Sequence, residues 1–176
     1  VTSRGRTAGA KFPVTVSHAL GEITWLLSQS RNHRDITVGD LNWLVMPAIL
    51  HRQFHIFRDG ERPVGVALWA LLGEVGERKM LAGLRAKKLR LEEREWRAGD
   101  RLWLIEFIAP FATELNRHAE LMMADLVTGP LSGRGFSMLR VDPVTLDAHV
   151  IQVPSSAGIE LVGATKQALA ELVSSR

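Results

Sequence analysis

The sequence predicts an α+β fold, with helices first and then a mainly antiparallel meander of strands with helices interleaved. Three observations carry this. Apolar residues recur at helical spacing before about residue 51. The period then shortens to that of strands on either side of Asp59-Gly60-Glu61-Arg62, a strong hairpin signal. Further on, Arg101 to Ala109 (RLWLIEFIA) is apolar on both of its faces, as a covered strand would be.

Residues 1–12 are small, basic and aperiodic and read as a loose arm, leaving 13–176 as one domain. From His18 to Leu27, Ala19, Leu20, Ile23, Leu26 and Leu27 make an amphipathic helix, which runs into the polar break Ser28 to Asp35. A second helix is expected from about Gly39 to His51, kinked or ended by Pro47. Gln53 to Arg58 and Pro63 to Leu71 form the hairpin, and the charged stretch 73–98 is helical in part. Pro110 stops the strand that starts at Arg101. Thr113 to Val127 has helical character, and Gly129 to Gly135 is a loop. Short strands at Phe136 to Val141 and His149 to Val153 flank the turn Asp142 to Asp147, and Ala164 to Val173 is a terminal helix.

Composition narrows the function classes. The chain has 176 residues, 46% of them hydrophobic, enough for a real core. Lys plus Arg number 22 against 19 Asp plus Glu, and a net charge of +3 does not by itself call for nucleic acid or membrane. No apolar run reaches the roughly 18 residues that span a bilayer, and the first residues lack a secretory signal's apolar segment. Without cysteine there are no disulfides, thiolate metal sites or cysteine nucleophile. A cytoplasmic location is expected.

Glu106 is the residue that does not belong. Strict alternation puts it with Leu102, Leu104 and Ile108 on one face, and Trp103, Ile105 and Phe107 on the other. An ionised carboxylate in such a strand costs several kcal/mol unless it is paired or well hydrogen-bonded. Two readings stand: a structural ion pair or a strand end reaching water, and a carboxylate orienting a catalytic histidine. Periodicity does not choose between them.

A series of short collinear blocks does. These are Leu20-Gly21-Glu22-Ile23-Thr24-Trp25-Leu26, Ser30-Arg31-Asn32-His33-Arg34, Val45-Met46-Pro47-Ala48-Ile49, Pro63-Val64 and Trp69-Ala70. Gly99-Asp100-Arg101-Leu102-Trp103, Ile108-Ala109-Pro110-Phe111 and Arg140-Val141-Asp142-Pro143 follow. Together they resemble the RTX toxin-activating (hemolysin-activating) lysine acyltransferases, over about Ser17 to Val153. The resemblance implies a GNAT-like domain with a central, twisted, mainly antiparallel sheet flanked by helices, working in the cytoplasm as a homodimer. It implies that a fatty acyl chain passes from acyl-acyl carrier protein to internal lysines of an RTX protoxin, with no bound cofactor or metal. The family's essential histidine falls on His33, its serine on Ser30, and its catalytic aspartate on Glu106. Glu for Asp keeps the charge and lengthens the reach by about an ångström.

The chemistry suits those residues. An imidazole neutral at physiological pH can take the amine proton, or carry the acyl group covalently, and a carboxylate on its other nitrogen fixes the tautomer. Backbone N–H groups in 105–109 are the expected oxyanion donors. No Gln/Arg-x-x-Gly-x-Gly/Ala loop for a coenzyme A pyrophosphate follows Ile105, and Gly133-Arg134-Gly135 reads as a turn. Trp25, Trp43, Trp69, Trp103 and Met46 could line an acyl slot, but each reads first as core.

Arg78 to Arg97 holds eight basic and three acidic residues, a local +5, so the rest of the chain is −2. Such a run is commonly a solvated helix face; here Arg85, Lys87, Lys88 and Arg90 are the expected docking residues for an acidic carrier protein. No nucleic-acid motif accompanies them. His51 and His55 have the spacing of a zinc pair, but no Glu follows His51 and the segment turns to strand. The competing functions are a coenzyme A-dependent acyltransferase on a small molecule and a non-catalytic toxin- or carrier-binding module.

Overall fold

The computed structural model describes residues 15–86, 90–141 and 148–174. The expected arm over 1–12, Lys87, Lys88 and the turn at 142–147 lie outside these. Helix α1 (Val16–Gln29) starts at Thr15, whose hydroxyl accepts the His18 N–H at 3.2 Å, and buries Ala19, Ile23, Leu26 and Leu27 on one face. Ser30 ends it in an extended conformation.

The second expected helix is divided. A 3₁₀ turn (Val38–Asp40) leads into α2 (Leu41–Leu44) and α3 (Met46–Leu50). Pro47 lies in the first turn of α3, where its missing N–H costs nothing, so the helix restarts there instead of kinking. Asp40 ties this corner together. It accepts from the Thr37 N–H at 2.9 Å, the Thr37 hydroxyl at 2.8 Å and the Trp43 indole N–H at 2.9 Å. The Trp43 bond, then the two from Thr37, lower its pKa from 3.8 to about 2. The corner's stabilisation by ionised Asp40 is therefore complete above pH 3.8 and is lost as pH falls through about 2. The Trp43 indole N–H signal should titrate near pH 2 by NMR, and Asp40→Asn should remove that titration.

The hairpin forms where the Asp-Gly signal predicts it. Strands β1 (Phe54–Asp59) and β2 (Arg62–Leu72) turn at Gly60, whose φ of 59° is the left-handed conformation glycine adopts freely. Helix α4 (Glu74–Ala86), a 3₁₀ turn (Glu93–Trp96), β3 (Arg101–Ile108), α5 (His118–Thr128), β4 (Phe136–Val141), β5 (Ala148–Val153) and α6 (Ala157–Ser174) follow.

Two helix starts differ from expectation. Thr113 and Asn116 hydrogen-bond each other's backbone, and Arg117 sits at φ 51°, so α5 begins at His118 instead of Thr113. Helix α6 begins seven residues before Ala164. Gly158 is no helix breaker there: it packs on the Val127 carbonyl of α5, against which a Cβ would collide. A close approach also explains Gly99 in the sequence block before β3. A Cβ on it would lie 2.5 Å from the Leu72 carbonyl oxygen and 2.8 Å from the Gly73 Cα.

The five strands lie in sequence order, antiparallel at every step except β3 to β4, which is parallel. This is the mixed, mostly antiparallel α+β sheet that the sequence and its resemblance predict. One core lies on the α1 side and includes Ile23, Leu26, Val45, Leu68, Trp96 and Trp103. The other lies under α5 and includes Phe57, Trp69, Leu102, Leu104 and Leu126.

Strand β3 departs from simple alternation. Its register against β2 pairs Ala70 with Trp103 and Trp69 with Leu104, then Leu68 with Glu106, so Ile105 is an inserted residue. The expected faces are corrected accordingly. Trp103, Ile105 and Ile108 pack on the α1 side, and Leu102, Leu104 and Phe107 pack toward α5. Past the bulge Glu106 shares the α1 side with Ile108, away from Leu102 and Leu104. Strand β3 is third of five, but its parallel ladder with β4 pairs only Trp103 with Ser137 and Leu104 with Met138. Beyond Leu104 the two strands part.

Candidate functional site

The polar break after α1 is a compact turn. The Ser30 carbonyl accepts the N–H groups of His33 and Arg34 at 3.1 and 3.0 Å, which folds the His33 side chain back under the helix end. The Ser30 hydroxyl lies 2.8 Å from His33 Nδ1. On the other side of the ring, His33 Nε2 lies 3.1 Å from Glu106 Oε2, 73 residues away in the chain. The structure thus brings Ser30, His33 and Glu106 into one continuous hydrogen-bonded row.

With Glu106 ionised and His33 neutral, the row allows one arrangement of hydrogens. An ionised carboxylate only accepts, so His33 Nε2 carries the hydrogen that it donates to Glu106. Neutral imidazole then has a bare Nδ1, which accepts the Ser30 hydroxyl hydrogen. Among the described residues Glu106 pairs with His33 and with no arginine, while the other half of that reading, a strand end reaching water, is met in part. Nor is the acid sealed in apolar surroundings: its side chain is 28% exposed and that of His33 is 17% exposed. Partly exposed and bonded to His33, Glu106 does not bear the penalty expected for a fully buried carboxylate.

The bulge places the acid. Without the extra residue at Ile105, the alternation of β3 would turn position 106 toward α5 and away from His33. Sequence periodicity has no signal for such an insertion. Beside the row, Trp25 lies on the surface with its ring centroid 5.6 Å from that of Phe111, and the Arg62 guanidinium sits 4.8 Å from the Phe111 centroid. Of the residues proposed for an acyl slot, two tryptophans lie in the core. Trp69 and Trp103 are core, and the Trp103 indole donates to Glu77 at 3.1 Å. The cavity next to His33 is a small one of about 90 Å³, whose lining includes Leu27, Ile36, Val38 and Leu41 together with the polar Arg34 and Thr37. A larger cleft of about 620 Å³ lies at the other end of β3, around Asp100 to Trp103 and Gly135 to Ser137, and does not include His33.

Of the basic residues expected to dock a carrier protein, Arg90 is placed: its guanidinium is 5.8 Å from the Trp43 ring centroid, and its charge reaches Asp40. The Arg85 backbone closes α4, but its side chain is outside the described residues, as are Lys87 and Lys88. Other cations of the segment are partly neutralised. Arg78 pairs with Glu74 at 3.7 Å, Arg94 with Glu92 at 2.8 Å and Lys79 with Glu95 at 2.7 Å. The Lys79 pair is coupled in both directions. Its hydrogen bond to Glu95 raises the Lys79 pKa. Burial would raise that of Glu95, but the bonds from Lys79 and the Glu92 N–H hold it below the usual value. His55 Nε2 is bonded to Asp125 at 3.1 Å, and His51 Nε2 is buried without a hydrogen-bond partner. Among the described residues no group of three or more His, Asp or Glu could hold a metal, and no helix is long and apolar enough to cross a membrane.

Comparison with known proteins converges on one family. The family model described as HlyC, the RTX toxin acyltransferase family, matches residues 12–155. The chain is 31% identical to the protein-lysine myristoyltransferase HlyC of Escherichia coli over 141 residues, covering 79% of this chain and 74% of that protein. It is 30% identical to the RTX-III toxin-activating lysine-acyltransferase ApxIIC of Actinobacillus pleuropneumoniae over 136 residues, 76% of this chain and 72% of the relative. It is 33% identical to the leukotoxin-activating lysine-acyltransferase LktC of Pasteurella haemolytica-like sp. (strain 5943B) over 107 residues, 61% of this chain and 59% of the relative. With LktC and the RTX-II activator ApxIIC, the match spans somewhat over half of the relative's length. With the family model matched across the segment that holds Ser30, His33 and Glu106, the chain belongs to the RTX toxin acyltransferase family.

Proposed function

We propose that this protein transfers a fatty acyl group from acyl-acyl carrier protein to lysine side chains of an RTX protoxin, with His33 as the base and Glu106 as its positioning residue. The observation that carries this is the row Ser30 Oγ, His33 Nδ1, His33 Nε2 and Glu106 Oε2, with spacings of 2.8 and 3.1 Å. It is a hydroxyl, an imidazole and an acid in hydrogen-bond order, which is how an imidazole is made a directional base.

The lysine reaches the site as the free amine, its extra proton lost to water. Its nitrogen attacks the thioester carbonyl carbon, and the C–O π pair moves onto oxygen. The amine proton passes to Ser30 Oγ while the Ser30 proton moves to His33 Nδ1, leaving an imidazolium held by Glu106. The tetrahedral intermediate re-forms its carbonyl, the C–S bond breaks, and the thiolate takes the proton back from His33 by the same route. Amide and free carrier thiol leave, and the imidazole is neutral again. For the oxyanion, the donor we assign is a backbone N–H of the bulge in β3, where Ile105 has no partner in the β2 register. This chemistry needs no resident metal or cofactor.

Carrier docking falls to the basic segment. Arg90 stands by Trp43 and Asp40, and Asp40 is bonded to Thr37 on the rim of the cavity beside His33, so a carrier held there has a short path to the site. The reaction belongs to the cytoplasm, where an acyl carrier protein works, and the homodimer implied by the family resemblance is checked by light scattering. Two donors separate this reading from its competitors. With tetradecanoyl-acyl carrier protein and a cognate protoxin, intact-mass spectrometry should show acylated lysine, with none from tetradecanoyl-coenzyme A. Raising salt from 50 to 500 mM should slow the carrier reaction, because association steered by charge weakens as ions screen it. Transfer from coenzyme A alone, or binding of toxin without turnover, would contradict the proposal.

A further inference from the structure

The cavity beside His33 has apolar lining from Leu27 of α1 and from Ile36, Val38 and Leu41 after the His33 turn, and polar lining that includes Arg34 and Thr37. Leu27 is fully buried, and Ile36 and Leu41 pack on the α1-side core, so its floor is apolar and fixed. Val38 is the opposite. It is 84% exposed, on the 3₁₀ turn at the cavity mouth, held out by the bonds of Asp40 to Thr37. An aliphatic side chain presented to water at the rim of an apolar slot, with the reactive imidazole in its wall, suits an aliphatic ligand that enters past His33 and leaves over Val38.

We infer that this slot receives the acyl chain, and that Val38 and Leu41 set its length preference; this deepens the proposed function and rests on it. At about 90 Å³ the slot is small and takes only the first few methylenes beyond the carbonyl. The rest of a long chain lies along Val38 and out over the 3₁₀ turn. A chain of four carbons is held by the slot alone, and a chain of fourteen uses both slot and rim.

The test is a binding measurement that needs no turnover. Calorimetry compares the non-hydrolysable amides tetradecanoyl- and butanoyl-aminopantetheine, at concentrations below micelle formation. The full chain should bind the long probe at least tenfold more tightly. Val38→Asp, at an exposed position where folding is undisturbed, should cut that ratio to about threefold or less, and Leu41→Trp, which fills the slot, should lower affinity for both probes. Should Leu41→Trp fail to fold by circular dichroism, Val38→Asp alone decides. A ratio unchanged within twofold in Val38→Asp, or equal binding of both probes by the unsubstituted protein, would overturn the inference. Probe binding as expected with no acyl transfer to any protoxin would count against the proposed function and leave the slot standing.

Discussion

Replacing His33 with alanine is expected to lower acyl transfer from the carrier protein by about 10²–10⁴-fold, the range that a positioned general base contributes. The substitution removes the atom that, among the described residues, is placed to take the proton from Ser30, whose hydroxyl lies 2.8 Å from Nδ1. It also leaves Glu106 without its partner. Because the acid is partly exposed, water replaces the imidazole, and the fold should survive. Single-turnover kinetics with intact-mass detection, on protein matched by circular dichroism, measures the effect. Ser30→Ala separates relay from base: with the hydroxyl gone, water can bridge amine and Nδ1, and the loss should be smaller than that of His33→Ala. Unchanged turnover in His33→Ala would remove the mechanism altogether.

Glu106→Gln is the second large effect. Gln has nearly the shape of Glu, so packing is kept, but its amide can donate to Nε2 where the carboxylate could only accept. That allows the imidazole to carry its hydrogen on Nδ1, the nitrogen that must be bare. In a serine protease the corresponding change of acid to amide costs about 10⁴-fold for this reason. A loss of about 10²–10⁴-fold is expected here, in the rate of transfer at saturating donor and not in donor affinity. Glu106→Asp should lose less than Glu106→Gln, since the charge returns and only the reach, about an ångström, is lost, and an error of that size can cost about 100-fold. Equal loss in Gln and Asp variants would make position 106 a matter of shape instead of charge.

Much of this site was legible before any coordinates. The apolar period of α1 and the polar break after it put Ser30 and His33 at a helix end, and Glu106 stood out as the acid in an apolar strand. What alternation supplied wrongly was the face of Glu106. A pleat read from sequence assumes one residue per step, and the register skips Ile105, so every residue after it changes sides. The helix starts at His118 and Ala157 were also hidden, because they depend on a side-chain-to-backbone lock at Thr113 and Asn116 and on the packing of Gly158 against Val127. The first lies just before α5 and interrupts a segment whose pattern is helical, and the second joins α6 to α5. The slot beside His33 escaped for a related reason. Large aromatic side chains are the usual sequence sign of a pocket, whereas the apolar wall of this one is made by aliphatic residues brought together by the corner at Asp40.

The tautomer of His33 tests the account most directly. With ¹⁵N-labelled histidine and His33 assigned by difference against His33→Ala, NMR at a pH where the ring is neutral distinguishes a bare nitrogen from a protonated one by a large separation in shift. The expected spectrum shows hydrogen on Nε2 and a bare Nδ1, changing toward hydrogen on Nδ1 in Glu106→Gln. Hydrogen on Nδ1 in the unsubstituted protein, or a spectrum indifferent to Glu106→Gln, would contradict the assignment of His33 as a base aimed by that acid.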